Sequence, residues 1–423
     1  MKSRLFTKND LKNQTDYLTR LFLLMYIFLC ITGIGYFFTA MNSGTMALWT
    51  YSDEVLEGGG TFAKLINYSK DVCVIIFTFC FFFKQNRFPY VMKEWIAVIL
   101  IILYGLVLDL LNGQSILCFV AGIRAYIYAF VTYEFCKSSS DMQTIITKIL
   151  TLMKILLLVQ VVAVLLQGTI VGSGIHLGSG SYRMIGLFTN AGTLGSFAIG
   201  TVVLFSTIYM VNKQMKRLSY IPYMGLALFL CLASGSRGPF LYSAVFILIS
   251  LVYRFNIRGR QKLLLIPVSA VTVGGAVLGF LVSYVERGNI MESGSGRFQA
   301  WSDLFNMSPV KILLGQGFGV ATNTARLMGV SDIAMDSTFT VVIVQFGVFI
   351  GLAFGIGFLL FAKSIISGKS DFLWYRVWYV LFVFLFLFSG SLFEQYVLIV
   401  PLIIAAFILN EDFKSNYGVK CCK

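Results

Sequence analysis

Long apolar runs, separated by short basic segments, dominate this chain. They fall at about 21–40, 62–83, 95–111, 115–136, 145–167, 186–211, 219–234, 238–253, 263–285, 338–362, 372–390 and 395–409. A helix that crosses a bilayer takes about 20 residues, and most of these runs approach or exceed that length. The short run at 219–234 is set off from its successor only by the turn residues Ser234–Pro239. The pattern predicts an all-α, polytopic membrane protein of about 12 transmembrane helices, a single transmembrane domain over residues 1–423. An even number of spans puts both termini on one side.

The polar segments test that topology. Met1–Arg20 carries five basic residues and is followed by a run of full spanning length, with no small-x-small cleavage site close behind. It reads as a first helix whose start stays in the cytoplasm, not as a cleaved signal. The even-numbered loops carry Lys84/Arg87/Lys93, Lys137/Lys148/Lys154, Lys213/Lys216/Arg217, Arg254/Arg258/Arg260/Lys262 and Lys363/Lys369/Arg376. With the two termini, that side holds 24 of the 33 basic residues, which makes it cytoplasmic by the positive-inside rule.

Composition narrows the function classes. The chain is 58% hydrophobic and 12% charged, where soluble domains carry about 25% charge. A cytosolic globular enzyme and a disordered chain are both excluded. The net charge of +14 follows from the inner loops, so it does not point to nucleic acid. The eight cysteines, Cys30, Cys73, Cys80, Cys118, Cys136, Cys231, Cys421 and Cys422, offer neither a disulfide framework nor a C-x-x-C metal spacing.

Two outer loops exceed a simple turn: the Gly/Ser-rich 168–185 and the long polar 286–337. Long loops in compact proteins are often functional. Within the second, Phe298, Trp301, Leu304 and Phe305 recur at helical spacing, with Arg297 and Asp303 off the stripe. This predicts a short helix on the membrane surface, ended by Ser308-Pro309. Gly315-Gln-Gly-Phe-Gly319 follows. It has no strand-then-helix context, so it reads as a tight backbone turn and not as a nucleotide fingerprint.

The topology gathers Arg183, Arg237, Arg297, Asp336 and Glu394 on the outer face from five parts of the chain. Lys70, Asp71 and Arg124 lie inside apolar runs, where an ionisable group is expensive and marks a functional candidate. Arg124 alternatively has an internal partner such as Asp71 or Asp109. Outward arginines at a membrane cavity suit a phosphate-bearing lipid, because guanidinium binds phosphate oxygens bidentately and stays charged when partly buried. Arg287 and Arg326 read better as solvated or snorkelling side chains. His176 is the only histidine; it could act as a base, but a histidine among Gly and Ser is more often solvated. Asp336 and Glu394 open the tenth and twelfth predicted helices, where Asp is a favoured N-cap. There is no zinc-ligand cluster, Walker motif or Ser-His-Asp order, so no metal or cofactor is expected.

Four segments together resemble the O-antigen polymerase and O-antigen ligase superfamily, the Wzy-type polymerases and their ligase relatives. Arg183-Met-Ile-Gly-Leu-Phe-Thr-Asn190 is similar to the family's R-x-x-G-x-F-x-N stretch, and Ser234-Gly-Ser-Arg-Gly238 to its S-R-G turn. Ser295-Gly-Arg297, Trp301 and Gly315-x-Gly317-x-Gly319 match the start and end of its large outer loop. Asp336-Ser337, with Gly347 and Gly351, resembles the helix after that loop. The resemblance spans about 183–351. Ligases of the superfamily carry His-Asn or His-Ser where this chain has Asp336-Ser337, a departure that favours a polymerase.

The resemblance implies a metal-independent glycosyltransferase of the bacterial plasma membrane that polymerises O-antigen, capsule or exopolysaccharide. A growing chain would leave its undecaprenyl pyrophosphate and join the terminal sugar of a new lipid-linked repeat unit. Arg183, Arg237 and Arg297 would stabilise the developing pyrophosphate charge, and Asp336, or else Glu394, would accept the hydroxyl proton. Arg124, with Arg183 and Glu394, would bind substrate. A chain-length regulator and a flippase are the implied companions. A ligase-type transferase and a polysaccharide flippase remain open; the single dominant outer loop and the lack of a visible repeat speak against the flippase.

Overall fold

The structure, a computed structural model, describes residues 8–35, 37–38, 61–84, 88–139, 142–170, 175–177, 181–211, 220–254, 302, 304–322, 337–367, 372–390, 392 and 395–410. Helix α1 spans Lys8–Cys30, α2 Thr61–Lys84, α3 Phe88–Leu111, α4 Ile116–Ser138 and α5 Met142–Ile170. An antiparallel hairpin follows, β1 Ile175–Leu177 and β2 Ser181–Arg183, with His176 opposite Tyr182. After it come α6 Ala191–Val211, α7 Ile221–Ala233, α8 Arg237–Arg254, α9 Pro309–Leu314, α10 Thr338–Ile366, α11 Leu373–Ser389 and α12 Tyr396–Leu409. Every predicted apolar run carries a helix except the ninth, 263–285, which lies outside the described residues. The chain is therefore helical as expected, but the Gly/Ser-rich loop adds a hairpin that composition did not suggest.

Among the described residues, four helices are long and apolar enough to cross a membrane: α4, α5 as far as Gln167, α6 and α10. Five more apolar stretches run for 10–17 residues: α3 from Trp95, α7, α8 to Tyr253, α11 to Phe388 and α12. Helix α2 is 24 residues long and carries Lys70 and Asp71 before the apolar stretch that fills its second half. The outward faces are apolar nonetheless. Leu100, Leu103, Val107 and Leu110 on α3, and Phe349, Leu352, Ile356 and Leu359 on α10, are exposed one turn after another. Apolar strips of that extent are uncommon on soluble monomers and fit a hydrocarbon solvent.

Helix α6 is the axis of the bundle, with 19 of its 21 residues buried. It packs against α12, α8 and α7. Without a hydrophobic drive inside lipid, such packing relies on close approach at small residues. A Cβ on Gly195 would fall 2.6 Å from Ser236 Oγ, and one on Gly200 would fall 2.7 Å from Pro401. Three hydroxyls of α6, on Thr201, Ser206 and Thr207, bond to their own helix or to α11. Thr201 donates to Phe197 O at 2.8 Å, and Tyr375 meets Ser206 and Thr207 at 2.6 and 2.9 Å.

Candidate functional site

From the end of β2 at Arg183 the chain runs as irregular backbone to Asn190, with Ile185–Phe188 buried inside the bundle. Its N–H groups need partners, because water is excluded. Two glutamines of α5 supply them. Gln167 Oε1 accepts from Ile185 and Gly186 N–H at 3.1 and 3.2 Å, and Gln160 Oε1 accepts from Leu187 N–H at 2.9 Å. The glutamines are seven residues apart, two turns along one helix face. Gln160 also donates to Cys30 O at 2.9 Å, which ties the stretch to the end of α1. Gly186 has φ +58°, and a Cβ there would lie 2.4 Å from Gln160 Oε1. At the far end Asn190 Oδ1 accepts from Thr193 N–H at 2.7 Å and from its hydroxyl at 2.9 Å, closing the first turn of α6.

Arg183 reaches from this stretch onto the turn between α7 and α8. Its Nε donates to Ser234 O at 2.7 Å and its Nη2 to Ser236 Oγ at 3.0 Å. Gly235 between them has φ +61°, and a Cβ there would sit 3.0 Å from the Arg183 side chain. Met184 N–H donates to Ala233 O at 2.9 Å, so main chain and side chain grip the same turn. Arg237, expected within the turn, is the first residue of α8. The arrangement makes Arg183 a brace for the turn that leads into Arg237.

A second group of charges joins α2, α4 and α12. Of the two internal partners considered for Arg124, the structure selects Asp71: Arg124 Nη1 meets Asp71 Oδ2 at 3.4 Å. Tyr128 OH donates to Asp71 Oδ1 at 2.5 Å, and Lys70 Nζ lies 5.5 Å from the centre of the Tyr396 ring. Lys70 is buried, while the side chains of Arg124 and Asp71 keep 35% and 25% of their surface exposed.

The Gly315–Gly319 segment is threaded between α3, α4 and α10. Gly315 and Gly317 have φ +87° and +100°. Gly315 passes so close to α10 that a Cβ would meet Gln345 O at 2.5 Å, and Gly317 abuts Asp109. Helix α10 breaks at Gly347, φ +83°, to make room, and a Cβ there would lie 2.1 Å from Leu313 O. Gln345 Nε2 donates to Phe318 O and Val320 O, Tyr126 OH donates to Gln345 Oε1, and Asp109 Oδ1 accepts from Gly319 N–H. The glycines do serve backbone conformation, as expected, but along an inserted strip with a turn only at Phe318-Gly319. Beside Phe318 an apolar cavity of about 710 Å³ runs between α3, α4, α10 and α12, past Tyr133 and Ser364 to Asn410.

Arg297, Asp336 and Glu394 lie outside the described residues, as do Trp301, Arg287 and Arg326. Their neighbours correct two expectations. The N-cap position of α10 belongs to Ser337, not Asp336, and no side-chain bond caps it. Helix α12 starts at Tyr396, and its N-cap position belongs to Gln395. The start of α10 and the end of α11 are fastened together: Thr338 N–H donates to Gly390 O at 3.0 Å, and Leu392 N–H to Thr338 Oγ1 at 2.8 Å. Sequence reasoning missed Gln160, Gln167, Gln345 and Tyr128. For the three glutamines the signal was available, since a lone glutamine in an apolar run must have a polar partner inside the protein. Among the described residues no three His, Cys, Asp or Glu side chains gather as metal ligands.

Comparison of the chain with family profiles, curated proteins and solved structures gives no match. The likeness over 183–351 thus rests on its short motifs.

Proposed function

We propose that this chain is a polysaccharide polymerase, joining undecaprenyl-pyrophosphate-linked repeat units on the outer face of the bacterial plasma membrane. In this reading it spans the membrane about twelve times, with both termini in the cytoplasm and Arg297–Asp336 in the large outer loop. The observation that supports it is the grip of Arg183 on Ser234 and Ser236. Two motifs separated by some fifty residues thereby meet at the base of Arg237. Helix α7 has 13 residues and rises about 20 Å against a hydrocarbon core of about 30 Å, so the turn it carries suits a recess below the surface.

The chemistry follows from charge development. A sugar hydroxyl of the incoming unit attacks the anomeric carbon of the growing chain; the new C–O bond forms as the bond to pyrophosphate breaks. The negative charge left on the pyrophosphate is met by Arg237 and Arg297, with Arg183 holding the turn in register. Asp336 accepts the hydroxyl proton, Glu394 being the other carboxylate for that role, and Arg124 binds substrate. Pyrophosphate leaves unprotonated, so no second acid is needed, unlike in a glycosidase.

The test is electrophoresis of surface polysaccharide and lipid-linked intermediates from a deletion strain complemented with wild type, Arg237→Ala or Asp336→Ala. Loss of the long-chain ladder, with single repeat units on the outer leaflet, is the expected result. Repeat units trapped on the inner leaflet would instead mean a flippase, and long chains still attached to lipid would mean a ligase.

A further inference from the structure

The apolar cavity of about 710 Å³ between α3, α4, α10 and α12 takes no part in the proposed reaction. Packed interiors hold few voids larger than a water molecule, and this volume falls within the range of ligand pockets, about 300–1,000 Å³. Its walls are mainly isoleucine and phenylalanine, a lining that does not hold water. One end is closed by Phe318, which is buried with its ring 4.7 Å from that of Phe346 and 5.5 Å from that of Tyr126. The other end is polar, lined by Tyr133, Ser364 and Asn410. There the rings of Tyr133 and Phe407 are 5.6 Å apart, which puts the C-terminal ends of α4 and α12 at one level. Between the ends the cavity is open sideways, because its lining residues Ile101, Tyr133 and Leu360 are exposed. Ile101 and Leu360 adjoin the apolar outward strips of α3 and α10, so the opening gives onto hydrocarbon.

We infer that this groove holds one acyl chain of a phospholipid whose phosphate lies at Lys137 and Lys363. Length argues for the chain. The groove-lining residues of α4 run from Ile123 to Tyr133, about 15 Å along the helix, and one leaflet contributes half of a hydrocarbon core of about 30 Å. An undecaprenyl chain is longer than a leaflet is deep and would overrun the closed end at Phe318. Charge argues for the headgroup. Lys137 and Lys363 stand in the last turns of α4 and α10. Lys137 Nζ lies 5.7 Å from the centre of the Tyr133 ring, and Lys363 is exposed beside Ser364. Ammonium groups at the mouth of an apolar groove complement a lipid phosphate. The methyl end of the chain meets Phe318 and so supports the Gly315–Gly319 strip from within the membrane. In the topology proposed above the basic end is cytoplasmic, which makes the leaflet the inner one; the inference rests on that reading for the leaflet alone.

Native mass spectrometry of the full chain, stripped of lipid and then titrated with palmitoyl-oleoyl phosphatidylglycerol, counts the molecules bound. Wild type is expected to hold one tightly, and Ala406→Phe, which fills the groove with a ring, none. Lys137→Gln and Lys363→Gln should each weaken that binding about fivefold, the worth of one basic residue at a lipid surface. Phosphatidylglycerol with a diazirine at the end of its acyl chain, added to wild type, should label the Ile123 and Phe318 region. That readout needs no variant and keeps the test valid if Ala406→Phe does not fold. Tight binding of one lipid by an Ala406→Phe protein that elutes like wild type overturns the site, as does unchanged affinity in both lysine variants. Tighter retention of undecaprenyl phosphate than of phosphatidylglycerol also overturns it, by making the groove part of a polyprenyl path. Labelling spread along Leu103, Val107, Phe349 and Leu352 overturns it too, since that pattern marks only lipid around the bundle. Binding is read without turnover, so failure of the ladder assay removes the polymerase and leaves the site standing.

Discussion

Replacing Gln160 with Leu removes one side chain that serves two backbone partners. Leu187 N–H loses its acceptor and Cys30 O loses a donor, each at 2.9 Å in a fully buried environment. Hydrogen bonds between side chains in membrane bundles average only about 0.6 kcal/mol, because the unfolded reference also finds partners. Here the orphaned N–H belongs to irregular backbone with no helical alternative, so the larger penalty for a buried unsatisfied group applies, about 1–3 kcal/mol. A central loss of about 3 kcal/mol for the pair follows, since Cys30 O still lies at the end of a helix and relaxes at lower cost. With an unfolding entropy of about 2.1 cal/mol/K per residue over 423 residues, the melting midpoint in detergent should fall by about 3 °C. The stretch it anchors begins at Arg183, so the polysaccharide ladder should weaken as well. A Gln160→Leu protein that melts with wild type would refute the assignment of Gln160 as the partner of this backbone.

Other perturbations address other parts of the bundle. Gly347→Ala places a methyl 2.1 Å from Leu313 O at φ +83°; left-handed strain and overpacking together should cost about 3 kcal/mol, and an unchanged melting midpoint would show that the strip is not wedged there. Arg183→Lys keeps the charge but cannot bond Ser234 O and Ser236 Oγ together; the ladder should be lost as in Arg237→Ala, and a full ladder would remove Arg183 from its bracing role. At the start of the bundle, the bond from Lys148, with Arg20 beside it, holds the Asp16 carboxyl below its ordinary value of 3.8. A lowered native value gives stability that is present above the unfolded pKa and lost as pH falls through the native one. The wild-type melting midpoint should therefore fall more steeply than that of Asp16→Asn below about pH 4, and parallel curves would refute the contribution.

The alternation of apolar runs and basic loops was enough to locate the helices, because hydrocarbon demands that every backbone group be satisfied within its own segment. It also marked Arg183, Arg237 and Arg124 as residues needing an explanation, since charge in or beside an apolar run is costly. Local pattern did not reveal the hairpin at 175–183, where Gly and Ser give no alternation to read. Nor did it reveal that α10 breaks at Gly347, because a glycine in an apolar helix looks the same whether it is packed or kinked. Asp336 was read as a cap from residue type alone, whereas tertiary structure set the start of α10 one residue later by tying Thr338 to Gly390. Pairing was the other decision left to tertiary structure. Arg124 had two carboxylates within reach in principle, and helix packing delivered Asp71 to it while giving Asp109 to Gly319 N–H. Hydropathy is a property of each segment and is legible one residue at a time, but a charge's partner is a property of the packed bundle. The meeting of Arg183 with the turn before Arg237 belongs to the same class, because two glutamines on a third helix bring it about.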